Sequence, residues 1–133
     1  MPQFAKPFYL AIDVGSTLSK GKLWAPSGRL RVEAKSKKLG ALALDPNFFW
    51  RDFEQLLSRL IFAAPRGAEI HLGLSVQRST LVAVDKRSGK ALTKIISWQD
   101  TSGEALLNQK RRRWGSIQKI TGLRPNGHYG ASK

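Results

Sequence analysis

Residues 10–20 read LAIDVGSTLSK, and this stretch decides the fold class. An apolar run carries one acid, Asp13, near its end; Gly15, Ser16 and Thr17 follow as a turn, and the chain returns through Lys20. Tyr, Leu, Ile and Val bounded by turn residues predict a strand over 8–14. Gly15 permits close backbone approach and an unusual dihedral, so amides and the hydroxyls of Ser16 and Thr17 can face phosphate oxygens while Lys20 adds positive charge. Asp13 can hold magnesium through water, because that ion keeps much of its hydration and takes only one or two carboxylates. A plain hairpin with an exposed Gly-Ser turn fits the same residues; the acid inside the strand weighs against it.

Working outward, residues 21–25 and 29–34 read as two further strands joined by the tight Pro26-Ser27-Gly28 connection, which gives a three-stranded antiparallel meander. Asp45 and Pro46 open a helix, the carboxylate accepting free amides and the proline suiting the first turn. Phe49, Phe53, Leu56, Leu57 and Leu60 repeat at helical spacing, with Arg51, Asp52, Glu54, Gln55, Ser58 and Arg59 on the polar side, and the helix ends near Pro65. Strands follow over 69–76, 81–84 and 91–96, the last two joined by a Gly-containing turn over 86–90. A helix starts from Asp100 or Thr101, carries Glu104 in its first turn, and ends in Lys110 to Arg113, where cations complement the helix dipole. A short helix over 116–121 stops at Gly122, and a Gly-rich tail runs from Pro125 to Lys133. The fold class is α/β, with a mixed sheet that starts as a three-stranded antiparallel meander.

A chain of 133 residues, 41% hydrophobic and 24% charged, suits one folded domain and is too short for a two-domain enzyme with a cleft. The chain has no cysteine, which excludes disulfides and thiolate metal sites and is compatible with a cytoplasmic location. The first apolar run is far short of a membrane span, so neither a signal peptide nor a membrane partner is expected. A formal charge of +14 invites polyanions at low salt. The cations are spread along the chain, with local clusters at Lys35, Lys37 and Lys38, at Lys86, Arg87 and Lys90, and at Lys110 to Arg113. The spread favours a solvated basic surface over a specific nucleic-acid site.

The Asp-x-Gly-Ser/Thr-Thr pattern with a following basic residue resembles the first phosphate-binding hairpin of the superfamily that contains actin and the sugar kinases. The middle of the chain narrows this. Residues 73–100 read GLSVQRSTLVAVDKRSGKALTKIISWQD, which is similar to the corresponding block of the FGGY carbohydrate kinases, nearest in style to glycerol kinase and also like xylulokinase. Gln77, Arg78, Trp98, Gln99 and Asp100 match in order and spacing. Asp45-Pro46 with Trp50, Thr121-Gly122-Leu123 and the terminal Ala131-Ser132-Lys133 extend the resemblance over nearly the whole chain.

The resemblance implies a ribonuclease H-like, actin-like ATPase fold, with residues 1–133 forming part of the N-terminal domain and the second domain absent. It implies ATP and Mg2+ as cofactors, with Asp13, Gly15, Ser16, Thr17 and Lys20 at the phosphates and the metal. It implies a sugar or polyol substrate held by Gln77, Arg78, Ser79, Trp98 and His128. The general base is expected beyond Lys133, so the chain alone is expected to be inactive and to self-associate through exposed apolar surface. Two positions depart from the glycerol kinase pattern. Ser79 stands where that kinase has Glu, and His128-Tyr129 stands where it has Tyr-Phe; both put glycerol in doubt as the substrate. Two rival readings stay open: a non-kinase ATPase of the same superfamily, which needs no Gln-Arg or Trp-Gln-Asp block, and a basic nucleic-acid-binding module.

Overall fold

The structure is a computed structural model that describes residues 6–36, 43–124 and 126–128. The chain divides into two compact units, Met1–Gly40 with Asn47–Gln77, and Ala41–Pro46 with Arg78–Lys133.

The first unit is a four-stranded mixed sheet. β1 (Phe8–Val14) pairs antiparallel with β2 (Ser19–Trp24), which pairs antiparallel with β3 (Leu30–Lys35). These three strands are the expected meander. β4 (Ala43–Leu44) belongs to the second unit; β5 (Ile70–Val76) returns to the first and pairs parallel with β1, so the sheet order is β3-β2-β1-β5. A parallel pair needs a long crossover, and α1 (Pro46–Ile61) lies within it.

Side chains alternate across the pleat. Leu10, Ile12 and Leu23 lie on one face and are buried with Leu56 and Leu60 of α1, while Phe8, Val14, Val32, Ala34, Phe53 and Leu57 pack around them. Gly21 sits on the same face, where a Cβ would collide with the Leu60 side chain, so the helix approaches the sheet over a missing methyl group. Asp52, expected on the polar side of the helix, is buried. The apolar stripe of α1 carries one carboxylate, beside a small cavity that Lys35, Ser36 and Arg59 also line.

The second unit is built from short pieces. β4 pairs antiparallel with β6 (Ile95–Ile96). The two strands expected over 81–84 and 91–96 do not form a continuous hairpin; they meet at isolated bridges, Leu81 with Ile96 and Val84 with Ala91, and among the described hydrophobic residues of this unit Ile95 is the buried one. The break lies between the bridges, where the Ala83 amide donates to the Thr93 hydroxyl (3.1 Å) in place of a strand carbonyl. In the turn, Asp85 accepts hydrogen bonds from the Arg87 amide (3.1 Å), the Ser88 amide (2.7 Å) and the Ser88 hydroxyl (2.7 Å). These bonds hold the Asp85 carboxyl below its ordinary value, the Ser88 hydroxyl first among them.

α2 (Gly103–Gln109) begins later than expected: Asp100 takes the Ser102 amide at 2.8 Å ahead of the helix and does not cap it. The basic run does not complete α2. Lys110 ends that helix, and Arg111–Arg113 form a separate 3-10 turn leading into α3 (Trp114–Thr121). Gly122 closes α3 at φ 70°, the left-handed conformation expected of it. Lys37, Lys38, Pro125, Tyr129 and the Ala131-Ser132-Lys133 match lie outside the described residues.

Candidate functional site

Strand register assembles the first group of site residues. Asp13 of β1 stands opposite Lys20 of β2 on one side and opposite Ser75 of β5 on the other. Ala11 is flanked in the same way by Lys22 and Gly73, one pleat back. These residues share the sheet face away from Leu10, Ile12 and Leu23, and with Trp24 they line an open cavity of about 470 Å³. An acid, two lysines, a serine hydroxyl, an indole and a glycine without side chain thus meet on one concave surface.

Asp13 and Lys20 are both exposed, and among the described residues neither is held in an ion pair. Lys22 is engaged, at 3.4 Å from Glu33, which also meets Lys35 at 3.7 Å. Gly15 is required for space: a Cβ there would lie 2.7 Å from the Leu18 carbonyl oxygen. Its φ is not positive, so the unusual dihedral expected of it is not used. Ser16 and Thr17 lie exposed on the bend after β1 and do not line the cavity.

The donor set fits magnesium in one particular manner. No cluster of three or more His, Cys, Asp or Glu occurs among the described residues. A lone exposed carboxylate beside a lysine suits an ion that keeps most of its waters and takes further ligands from substrate phosphates.

Gln77 ends the first unit, directly after β5. The other four residues of the expected substrate group lie in the second unit, and two of them, Trp98 and His128, are tied together there. The Trp98 amide donates to the Thr80 hydroxyl at 3.1 Å, next to Ser79, and the Trp98 carbonyl lies 3.1 Å from Nδ1 of His128. His128 is itself set by its amide, which donates to Asn126 Oδ1 at 2.8 Å. Gly127 packs onto the first turn of α2, where a Cβ would lie 3.0 Å from the Glu104 nitrogen. Trp98 leaves 40% of its surface exposed, which is ample for a ring that stacks on a ligand. Arg78 is exposed, and Ser79 adopts φ 59°, the one positive φ among the described residues other than glycine. Such a conformation costs of order 1 kcal/mol or more and concentrates at sites of function.

Sequence reasoning missed Lys22, Trp24 and Ser75. Lys22 and Trp24 were within reach, since they follow Lys20 at the period of two that places them on one face. Ser75 was not, because only the parallel register of β1 and β5 brings it beside Asp13.

No family model matches the chain. Curated relatives do. Glycerol kinase 5 of Gallus gallus is 32% identical over 115 residues, covering 79% of this chain and 22% of the relative. Glycerol kinase of Acinetobacter baylyi is 30% identical over 136 aligned positions, covering 95% of this chain and 28% of the relative. The chain is homologous to the FGGY carbohydrate kinases. Kinases of this type also share its fold. A xyloylose kinase from Brucella ovis superposes with a TM-score of 0.75 at 20% identity, over 94% of this chain and 28% of the kinase. The Plasmodium falciparum glycerol kinase, solved with ADP, gives 0.73 at 22% identity over 96% and 28%. The chain therefore spans between a fifth and three tenths of the length of the kinases it matches. No helix among the described residues is long and apolar enough to cross a membrane.

Proposed function

We propose that this chain is the N-terminal domain portion of an ATP-dependent sugar or polyol kinase of ribonuclease H-like fold, acting in the cytoplasm. The observation that carries the reading is the register that sets Asp13, Lys20 and Ser75 on one concave sheet face next to a turn whose Gly15 admits no side chain.

Phosphoryl transfer asks a protein mainly for positioning and for compensation of charge. Lys20 places a cation against phosphate oxygens, and the Ser16 and Thr17 hydroxyls, with the turn amides, supply neutral donors beyond it. Asp13, the cross-strand partner of Lys20, would hold a magnesium ion through its water shell, and the ion would offset phosphate charge. Gln77, Arg78 and Ser79 offer hydrogen bonds to substrate hydroxyls, Trp98 offers an apolar face to the carbon skeleton, and His128 braces the Trp98 backbone. The chain has no assigned general base. With one side of the reacting centre in hand, it binds nucleotide weakly and does not turn over by itself.

Titration calorimetry with Mg·ADP and with ADP alone tests this. Weak binding that depends on magnesium and falls about tenfold or more in Lys20→Met supports the reading. Equal affinity of the parent and the Lys20→Met and Asp13→Asn variants refutes it.

A further inference from the structure

On the face that carries Asp13, the register of β1, β2 and β3 arranges charge in a small block. Asp13 stands beside Lys20, and Lys20 beside Lys35; one pleat back, about 7 Å along the strands, Lys22 stands beside Glu33. Lys20 and Lys35 are like charges directly opposite each other, an arrangement that destabilises a strand pair. The block thus holds three lysines against two carboxylates, Asp13 and Glu33.

Glu33 divides the lysines unequally. Its Oε2 lies 3.4 Å from Nζ of Lys22 and its Oε1 lies 3.7 Å from Nζ of Lys35, so each carboxylate oxygen has a lysine of its own. Lys20 is in no ion pair among the described residues, and with Lys22 it lines the cavity. A nucleoside diphosphate brings several negative charges to the row of Asp13 and Lys20. Lys20 offsets one of them, Asp13 adds repulsion, and the two further lysines already face a carboxylate. The phosphate charge left over falls to a divalent cation, and magnesium accepts this mixture of water, one carboxylate and phosphate oxygens. We propose that Glu33 is a specificity-determining residue of this site: by occupying Lys22 and Lys35 it makes nucleotide binding depend on magnesium. The identity of the ligand rests on the kinase reading.

Both ion pairs are largely exposed and add little to folding, so Glu33→Gln retains the sheet, which circular dichroism checks. A multiply charged ligand within a Debye length responds to the same carboxylate with each of its charges. Titration calorimetry of the full chain at low salt uses three probes: tripolyphosphate with a chelator, ADP with a chelator, and Mg·ADP. Glu33→Gln is expected to tighten both metal-free probes about three- to tenfold and Mg·ADP by less than about twofold, so the preference for the magnesium form shrinks. Glu69→Gln removes an equal charge just before β5, at the far end of the sheet, where Glu69 meets His71 at 2.9 Å. It is expected to leave all three affinities within about twofold. Unchanged metal-free affinity in Glu33→Gln, a gain that is equal with and without magnesium, or the same gain from Glu69→Gln overturns the proposal. If ADP binding ignores Lys20→Met and Asp13→Asn while Glu33→Gln still tightens metal-free tripolyphosphate, the kinase reading falls and the hold of Glu33 on its lysines stands. No binding of any probe by the parent or by Glu33→Gln overturns both.

Discussion

Gly21→Ala should destabilise the first unit even though alanine normally stabilises a position that needs no glycine. Replacing glycine removes freedom from the unfolded chain, worth about 0.4–1 kcal/mol in favour of folding. Gly21 has no positive φ to lose, so that gain is available. Against it stands the collision of the new Cβ with Leu60, whose Cγ lies 3.4 Å away, with Ile12 Cγ1 at 3.5 Å. Leu60 is fully buried and its neighbours are Leu10, Ile12, Leu23 and Leu56, so it has nowhere to swing. Overpacking of this kind costs about 1–3 kcal/mol, which exceeds the gain and leaves a net loss of about 0.5–2 kcal/mol. Leu60→Ala alone should cost about 2–5 kcal/mol through the cavity it leaves. In the double variant the methyl group introduced at position 21 enters that cavity, the collision disappears, and the pair couples favourably by about 1–2 kcal/mol. Urea unfolding followed by tryptophan fluorescence gives all four corners of the cycle. A Gly21→Ala variant more stable than the parent, or single changes that add to within about 0.5 kcal/mol, would refute this account of the helix–sheet contact.

Four further outcomes are expected. The Asp85 carboxyl is lowered in the folded chain, so its contribution to the 85–90 turn is present above the ordinary value of 3.8 and is lost as pH falls through the lowered one; a carbon-detected NMR titration should show this, with Ser88→Ala raising the Asp85 pKa. Gly127→Ala should push residues 126–128 off the first turn of α2 and release His128 from the Trp98 carbonyl, read as a changed His128 ring shift with no loss of the first unit. Ser79→Gly should relieve the φ of 59° and stabilise the second unit by up to about 1 kcal/mol, whereas Ser79→Glu should not, in thermal melts of the two variants. Over a polyol and ketose panel, a coupled assay of ADP release should find no substrate-dependent turnover by the chain alone; turnover that survives repurification and vanishes in Asp13→Ala would contradict the reading.

The meander and α1 were legible because their signals are local. The Tyr, Leu, Ile and Val content of residues 8–14 ahead of a turn, the Pro26-Ser27-Gly28 connection and the Phe49-to-Leu60 stripe each fix an element without distant information. What failed to show was tertiary. The burial of Asp52 depends on where α1 rests on the sheet, and the place of Ser75 depends on a pairing between strands some sixty residues apart in the chain. Residues 81–96 read as a hairpin from two strand-like runs around a Gly-containing turn, yet the Thr93 hydroxyl takes the Ala83 amide, and the pairing is kept to isolated bridges. The pairing of Asp13 with Lys20 was legible, because the two stand on either side of the Gly-Ser-Thr turn that joins β1 to β2. The glycine that seats His128 was not, since Gly127 stands in a sequence context that reads only as loop.

The far edge of the sheet behaves differently from β5. Between Leu23 and Trp24 of β2 the register with β3 slips, so that Leu23 faces Val32 and Trp24 faces Leu30, leaving Arg31 as an extra residue in the outer strand. The bulge sharpens the local twist, and Arg31, Glu33 and Lys35 add charge along the same strand. A foreign strand arriving there meets a bent backbone and ionic side chains. The two flanks of the sheet are therefore unlike: the β3 flank presents a bulge and ionic side chains, and the β5 flank presents Leu72, Leu74 and Val76.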